Sequence, residues 1–298
     1  MRRLALALAF AALGCGASTA PPPEHATETE RYRHILMDRV DPNGLAWDPS
    51  RRVLYVADDD QAQVMVVSNG VVLAGRPLRD VGGGAGGLVQ LGDGSIACAR
   101  FGTDGDGGIV RLLPDEAVRV VPGLDPSRHR LGVAAWGDLY VAWFSGPHGA
   151  WTGGVARVDL ATGAETPVLG DLGKVVGVAI LDDLLVVSDQ THDSLFACHL
   201  PDCADRSLLA MIPAPDLMTA SADEVFVGSR AGNVFGVRAD GTTRTVASEL
   251  GGEPRGLAWD AEDRELFVAI HDPGAHPRHL IAIVEVPPLA TPDAGVSE

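Results

Sequence analysis

The sequence predicts an all-β chain made of repeated four-stranded units, and three observations carry that prediction. Two distant stretches, Pro42-Asn43-Gly44-Leu45-Ala46-Trp47-Asp48 and Pro254-Arg255-Gly256-Leu257-Ala258-Trp259-Asp260, differ only at Asn43/Arg255. Each is followed by a polar turn and an apolar run, Val53 to Asp58 in one copy and Glu265 to Ile270 in the other. No segment after the N-terminal leader sustains a helical apolar period, and 36 glycines and 20 prolines point to many tight turns. Self-similarity at a fixed period constrains architecture before any single motif does.

Weaker copies align on a small residue before an apolar run: Gly87-Leu88-Val89, Gly132-Val133-Ala134, Gly177-Val178-Ala179 and the degenerate Leu217-Met218-Thr219-Ala220. Gly44 to Gly256 then spans five intervals with a mean of about 42 residues, the length of roughly four short strands. In the first unit, Gly44 to Asp48 reads as a strand, Pro49-Ser50 as a turn and Val53 to Asp58 as a second strand. Val64 to Val67 is the third, Ser68-Asn69-Gly70 an Asn-Gly hairpin turn and Val71 to Ala74 the fourth. Six such units on a common axis make a six-bladed β-propeller. A linear β-solenoid is the competing architecture, and it needs shorter rungs. Ring closure predicts a blade shared by the chain ends, which removes free edges. Ile281 to Val286 is a third strand with no fourth after it, and Tyr32 to Met37 is a strand without another partner, so the two are expected to pair.

Met1-Arg2-Arg3, the apolar run Leu4 to Leu13 and Gly14-Cys15-Gly16 read as an export signal over residues 1–14, too short to span a bilayer. Cysteine directly after Leu13-Gly14 is similar to a bacterial lipobox, which implies lipidation of Cys15; ordinary cleavage nearby is the alternative and also yields an exported protein. Gly16 in place of Asp resembles outer-membrane sorting. Residues 15–30, with Pro21-Pro22-Pro23, are expected to form a tether, residues 31–286 the propeller and 287–298 a disordered tail. The expected location is the cell envelope, as an outer-membrane lipoprotein, and the expected state is monomeric.

The net charge of −17 with no basic cluster excludes nucleic acid as a partner and disfavours direct adhesion to anionic membrane, leaving the lipid as the membrane contact. Solvated loop carboxylates account for the acidity. Cys198 and Cys203 flank a four-residue turn and are expected to form a disulfide in an exported chain; a metal pair would need more ligands than the adjacent His199. Cys98, within Ile96-Ala97-Cys98-Ala99, reads as a small buried hydrophobe.

The repeat places comparable loop positions on one face. Asp58, Arg100, Trp143, Asp189, Ser229 and Ile270 end second strands, followed by Asp59, Phe101, Phe144, Gln190, Arg230 and His271. Inner strands open at Asn43, Gly86, Leu131, Val176, Leu217 and Arg255, with Arg130, Lys174 and Asp216 close by. These positions diverge into acids, bases, amides and aromatics, which marks one face as the binding face. The ligand-binding candidates are Asn43, Asp58, Arg100, Arg130, Trp143, Lys174, Asp189, Asp216, Arg230 and His271. Phe101, Phe144, Trp143 and Trp151 either wall a pocket or pack two loops together. The loop from His271 to His279 offers three imidazoles and Asp272 for zinc or acid–base work, although exposed histidines in long loops are common. Thr103 to Gly108 superficially resembles a calcium loop, but Gly108 stands at a ligand position. Gly82 to Gly87 matches GxGxxG through glycine richness alone, and no GxSxG, HExxH or Walker lysine motif is present.

The strings Pro42 to Asp48 and Leu54-Tyr55-Val56-Ala57-Asp58 resemble the repeats of regucalcin/gluconolactonase and luciferin-regenerating-enzyme-like propellers, and are similar to NHL repeats. The resemblance implies an axial divalent cation held by Glu, Asn and Asp. Asn43 sits where such a ligand could arise and Asp216 lies beside another inner-strand start, but no Glu stands at any opening, Arg255, Val176 and Leu131 are unsuitable ligands, and Asp58 with Asp189 is the divergent alternative. Two functions follow: an envelope-tethered propeller binding a small molecule or envelope protein, or a metal-dependent lactonase or esterase. A purely structural assembly role is the third.

Overall fold

The computed structural model describes residues 32–37, 39–78, 84–102, 105–115, 117–274 and 277–289. The leader, Cys15, the tether and the tail beyond residue 289 lie outside the described residues. The described residues form twenty-four strands in six antiparallel sheets of four. A lone strand, β1 (Arg33–Leu36), comes first. Blade 1 follows as β2 (Pro42–Asp48), β3 (Val53–Asp58), β4 (Gln63–Ser68) and β5 (Val71–Pro77). Blade 2 is β6 (Ala85–Gln90), β7 (Ile96–Arg100), β8 (Gly108–Leu112) and β9 (Val118–Val120). Blade 3 is β10 (His129–Trp136), β11 (Asp138–Ser145), β12 (Thr152–Val158) and β13 (Glu165–Leu172), and blade 4 is β14 (Val175–Leu181), β15 (Leu184–Asp189), β16 (Ser194–His199) and β17 (Ser207–Met211). Blade 5 is β18 (Pro215–Ala220), β19 (Val225–Ser229), β20 (Asn233–Val237) and β21 (Thr243–Ala247). Blade 6 begins with β22 (Glu253–Asp260), β23 (Glu265–His271) and β24 (Leu280–Glu285) and is completed by β1, which pairs Arg33 with Ile283 and Leu36 with Leu280. The ring therefore closes as the sequence predicts. No helix among the described residues is long and apolar enough to cross a membrane.

Second strands such as β7, β15 and β19 are buried along their whole length, because a neighbouring blade covers each face. That explains why they read as continuous apolar runs rather than alternating ones. The outer strand β5 is exposed along most of its length. Six apolar clusters fill the six gaps between adjacent blades; one joins Tyr55, Val64 and Ala57 of blade 1 to Leu88, Cys98 and Val110 of blade 2. Cys98 is buried and free, and the Cys198–Cys203 disulfide forms across the β16–β17 turn. Asn69 and Gly70 carry φ of 49° and 74°, the left-handed pair an Asn-Gly hairpin turn requires.

The glycines that reveal the repeat are where inner strands nearly touch. A Cβ on Gly256 would lie 1.9 Å from the Asn43 carbonyl oxygen, and one on Gly44 would lie 2.2 Å from that of Gly86. Gly87, Gly132 and Gly177 meet the backbone of the next blade in the same way. Blade 5 has Leu217 at this position, and there Gly228 of β19 takes over the close approach, against the Arg255 carbonyl.

Candidate functional site

Each pairing of a first with a second strand contains an irregularity at the same place. The register shifts between Pro42 and Leu45, Ala85 and Leu88, Arg130 and Val133, Val175 and Gly177, Pro215 and Met218, and Pro254 and Leu257. A bulge re-aims the extra residue and kinks its strand. Here Asn43, Leu131, Val176, Asp216 and Arg255 fall within bulges and line one axial well of about 480 Å³. A second ring of residues, immediately after the second strands, contributes Asp59, Phe101, Gln190 and Arg230, and Lys174 enters just before β14. Below the well the channel narrows to a residual void of about 10 Å³ among Leu45, Leu88, Val133, Val178, Met218 and Leu257, so the well is blind. Its volume lies within the roughly 300–1,000 Å³ typical of small-molecule sites. A larger cavity, about 1230 Å³, lies at the outer seam beside β1, away from the axis; its charged side chains pair with one another, Arg33 with Glu265 and Arg52 with Asp260 and Asp263.

The well gathers ionisable groups that range from the buried Asp216 to the exposed Arg230. Burial pushes the Asp216 carboxyl up, against the opposing pull of Arg255, Arg230 and Lys174. Burial also pushes Asp59 up to about 6, helped by Asp41, Asp60 and Asp58 and opposed by Arg255. Lys174 is shifted downward, by burial first and then by Arg230 and Arg255, with Asp216 pulling the other way. Its ammonium donates to Gln190 Oε1 at 2.7 Å. Arg230 is held by Glu253 at 2.9 Å, and Arg255 lies 3.6 Å from Asp41 and 3.8 Å from Asp59. Among the described residues the buried Asn43 Oδ1 has no hydrogen-bond partner, leaving an acceptor at the bottom of the site for a ligand's donor.

Of the ten sequence candidates, Asn43, Lys174, Asp216 and Arg230 line the well. The others are placed elsewhere. Asp58 accepts from the amides of Asp41 and Gln61 and from Gln63 Nε2, and Asp189 accepts from the amides of Gly173 and Thr191 and from His192, so both carboxylates clamp loops. Arg100 pairs with Asp106 at 2.7 Å, which also spends a carboxylate of the calcium-like loop. Arg130 is 0% exposed and donates to the carbonyls of Gly107, Asp125 and Arg128 and to Glu165 at 2.7 Å, tying blade 2 to blade 3. Trp143 stacks under the Arg128 guanidinium, 4.0 Å from the ring centre. His271 stands at the rim, bonded to Asp41 at 2.8 Å. The loop aromatics divide: Phe144, Trp151 and His129 pack together, while Phe101 joins that cluster and also faces the well.

Beyond the candidate set the polar lining adds Asp60 and, at repeat-aligned positions, Asp59, Gln190 and Arg255. The repeat marks their positions, and the signal was parity. A second-strand end pairs directly with the start of the inner strand, as Asp58 does with Pro42, and turns between blades; the next residue faces the axis. In degenerate blade 5 the axial residue is Asp216, one before the aligned Leu217.

An axial divalent cation, which the resemblance implies, does not fit this donor set. The well offers side-chain oxygens from Asn43, Asp59, Asp60, Gln190 and Asp216, but cationic side chains are interleaved with them: Arg255 faces Asp59, Lys174 donates to Gln190, and Lys174, Arg230 and Arg255 all act on Asp216. Hard cations take about six or more oxygen ligands.

No protein-family model and no curated protein matches the chain. Solved structures share its fold. A calcium-binding regucalcin from Agrobacterium tumefaciens aligns with a TM-score of 0.69 at 13% identity, over 86% of this chain and 94% of that one. A gluconolactonase from Xanthomonas campestris aligns at 0.65 and 17%, over 86% and 88%. Virginiamycin B lyase from Staphylococcus aureus aligns at 0.61 and 10%, over 85% and 99%. At these identities the likeness establishes a six-bladed propeller fold.

Proposed function

We propose that this chain is an envelope-tethered propeller that binds a small polar anion, bearing a carboxylate or phosphate, in the axial well. The observation that carries the reading is the convergence of Lys174, Arg230 and Arg255 on one blind cavity in a protein of net charge −17. Asp59, Asp60 and Asp216 share the well with these cations; Asp216 and Asp59, both shifted toward the neutral form, offset less of that local positive charge than two ordinary aspartates. An anion entering the well gains charge-assisted hydrogen bonds in a poorly solvated site. The unpartnered Asn43 Oδ1 accepts from a ligand hydroxyl, and Phe101, Leu131 and Val176 give the well an apolar side. In this reading the leader exports the chain and Cys15 carries the lipid, which would place a monomer in the envelope, where it would meet such ligands.

The test is a thermal-shift and calorimetric panel of gluconate, citrate, inorganic phosphate and neutral sugars against the purified chain. At least one anion is expected to bind saturably, and Lys174→Met with Arg230→Met should weaken it by at least about tenfold per charge-assisted contact. Binding of neutral sugars alone, or anion binding unchanged in both variants, overturns the reading.

One observation favours a second reading, a hydrolase acting on lactones or esters. Two carboxyls shifted up and an amine shifted down in one well is a pattern that suits acid–base chemistry. Hydrolysis of glucono-1,5-lactone in the presence of EDTA, lost in Asp216→Asn, would favour it.

A further inference from the structure

We propose that Asp41, His271 and His279 form a binding site for a first-row divalent transition metal, zinc foremost, at the seam where the ring closes. Asp41 precedes β2 of blade 1, whereas His271 ends β23 and His279 precedes β24 of blade 6. One ligand atom from each lies within 4.8 Å of the others. His271 Nδ1 is 2.8 Å and His279 Nδ1 3.7 Å from the same carboxylate oxygen, Asp41 Oδ1. Ligands about 2.0–2.1 Å from a tetrahedral zinc stand about 3.3 Å apart, a value these two distances bracket. Small side-chain adjustments would complete the coordination.

The donor chemistry selects the metal. Two imidazoles and one carboxylate suit zinc and its neighbours and not the all-oxygen shells of calcium or magnesium. The carboxylate divides its work: Oδ1 faces both rings, and Oδ2 faces the Arg255 guanidinium at 3.6 Å, an outer contact of the kind that orients metal ligands. The backbone holds the set in place before any metal arrives. The Asp41 amide donates to Asp58 Oδ1, the Asp59 amide donates to the Asp41 carbonyl at 2.9 Å, and the Met37 amide donates to the His279 carbonyl at 3.0 Å. The two rings stack with centres 5.1 Å apart. His279 Nδ1 accepts a long 3.2 Å bond from the Asp272 amide, so it presents a lone pair, which the metal would take in exchange for that one contact. Three protein ligands leave a fourth position open, as in zinc sites that also bind a small molecule or water. Arg255, shared with the well, joins the two sites.

The test uses the tag-free chain stripped with EDTA and titrated with Zn²⁺ by calorimetry, with metal content measured after dialysis. Co²⁺ provides an independent readout, the visible absorption of a four-coordinate nitrogen–oxygen site. One zinc per chain is expected, and a hundredfold excess over Kd should raise Tm by roughly 5 °C. His271→Ala and His279→Ala should each weaken zinc by more than about a hundredfold and remove the cobalt band. Their metal-free melts should stay near that of the stripped wild type, which separates loss of a ligand from loss of the fold. Absence of zinc binding, or equal zinc content in wild type and a double His→Ala variant, overturns the proposal and assigns any uptake to the exposed histidines elsewhere.

Discussion

Asp59→Asn should stabilise this protein at alkaline pH and leave it unchanged in acid. Burial, then the neighbouring Asp41, Asp60 and Asp58, lift the Asp59 carboxyl from 3.8 to about 6, while Arg255 at 3.8 Å resists. The folded chain therefore binds more protons than the unfolded chain between those pH values. By linkage, stability falls as pH rises from about 4 to about 6, and above that window the full cost is present. Two units at about 1.4 kcal/mol each give roughly 3 kcal/mol. The Asp59 side chain is 32% exposed. Solvent screening accordingly reduces the expected cost to about 1–2 kcal/mol. Asparagine keeps the shape and removes the charge, so urea unfolding followed by tryptophan fluorescence should show a gain of about 1–2 kcal/mol at pH 8 and almost none at pH 4. Equal effects at both pH values would refute the reasoning. A loss at pH 8 would mean that attraction to Arg255 outweighs burial. A wall carboxylate kept charged against its own stability is the trade expected where a site serves a ligand.

Arg130→Met should destabilise by about 3–5 kcal/mol, because it removes Glu165's fully buried partner, leaving only the half-buried Arg128, and the bonds to three carbonyls, of which that to Gly107 reaches blade 2. The melt should drop by roughly 10 °C, with anion binding in the well unaltered; a drop under about 2 °C would contradict the placement of Arg130 as an interblade tie. Gly256→Ala forces a Cβ to within 1.9 Å of the Asn43 carbonyl oxygen and should cost about 3 kcal/mol or more. Gly70→Ala meets no atom within 4 Å and strains only a positive φ, so about 1 kcal/mol is expected. Denaturant midpoints for the two variants should rank in that order, and the reverse would show that strand contact at the axis is loose.

Much of the architecture was legible because the repeat and the closest contact are the same residues. Gly44, Gly87, Gly132, Gly177 and Gly256 stand out in sequence since a side chain there would collide with the next blade. The unpartnered Ile281 run at one end and the isolated strand at the other likewise betray the shared blade. The site was legible only in part. Sequence alignment identified the rings of loop positions but chose the strand-ending Asp58 and Asp189 over the axial Asp59 and Gln190. Adjacent strand residues face opposite sides, so one step of register exchanges wall for interior.

Local chemistry written along the chain thus determined the period, the strand order, the blade count, the closing pair and the Cys198–Cys203 link. Each depends on residues near one another or on a repeated pattern. Tertiary structure alone decided which charges meet: Asp41 with His271, 230 residues apart in sequence, and Arg130 with Glu165, 35 apart. It also decided that bulges send Asp216 and Arg255 to the axis while Arg130 turns into a blade gap. Such pairings depend on the three-dimensional path of the closed ring, and no periodic signal in a single strand encodes them.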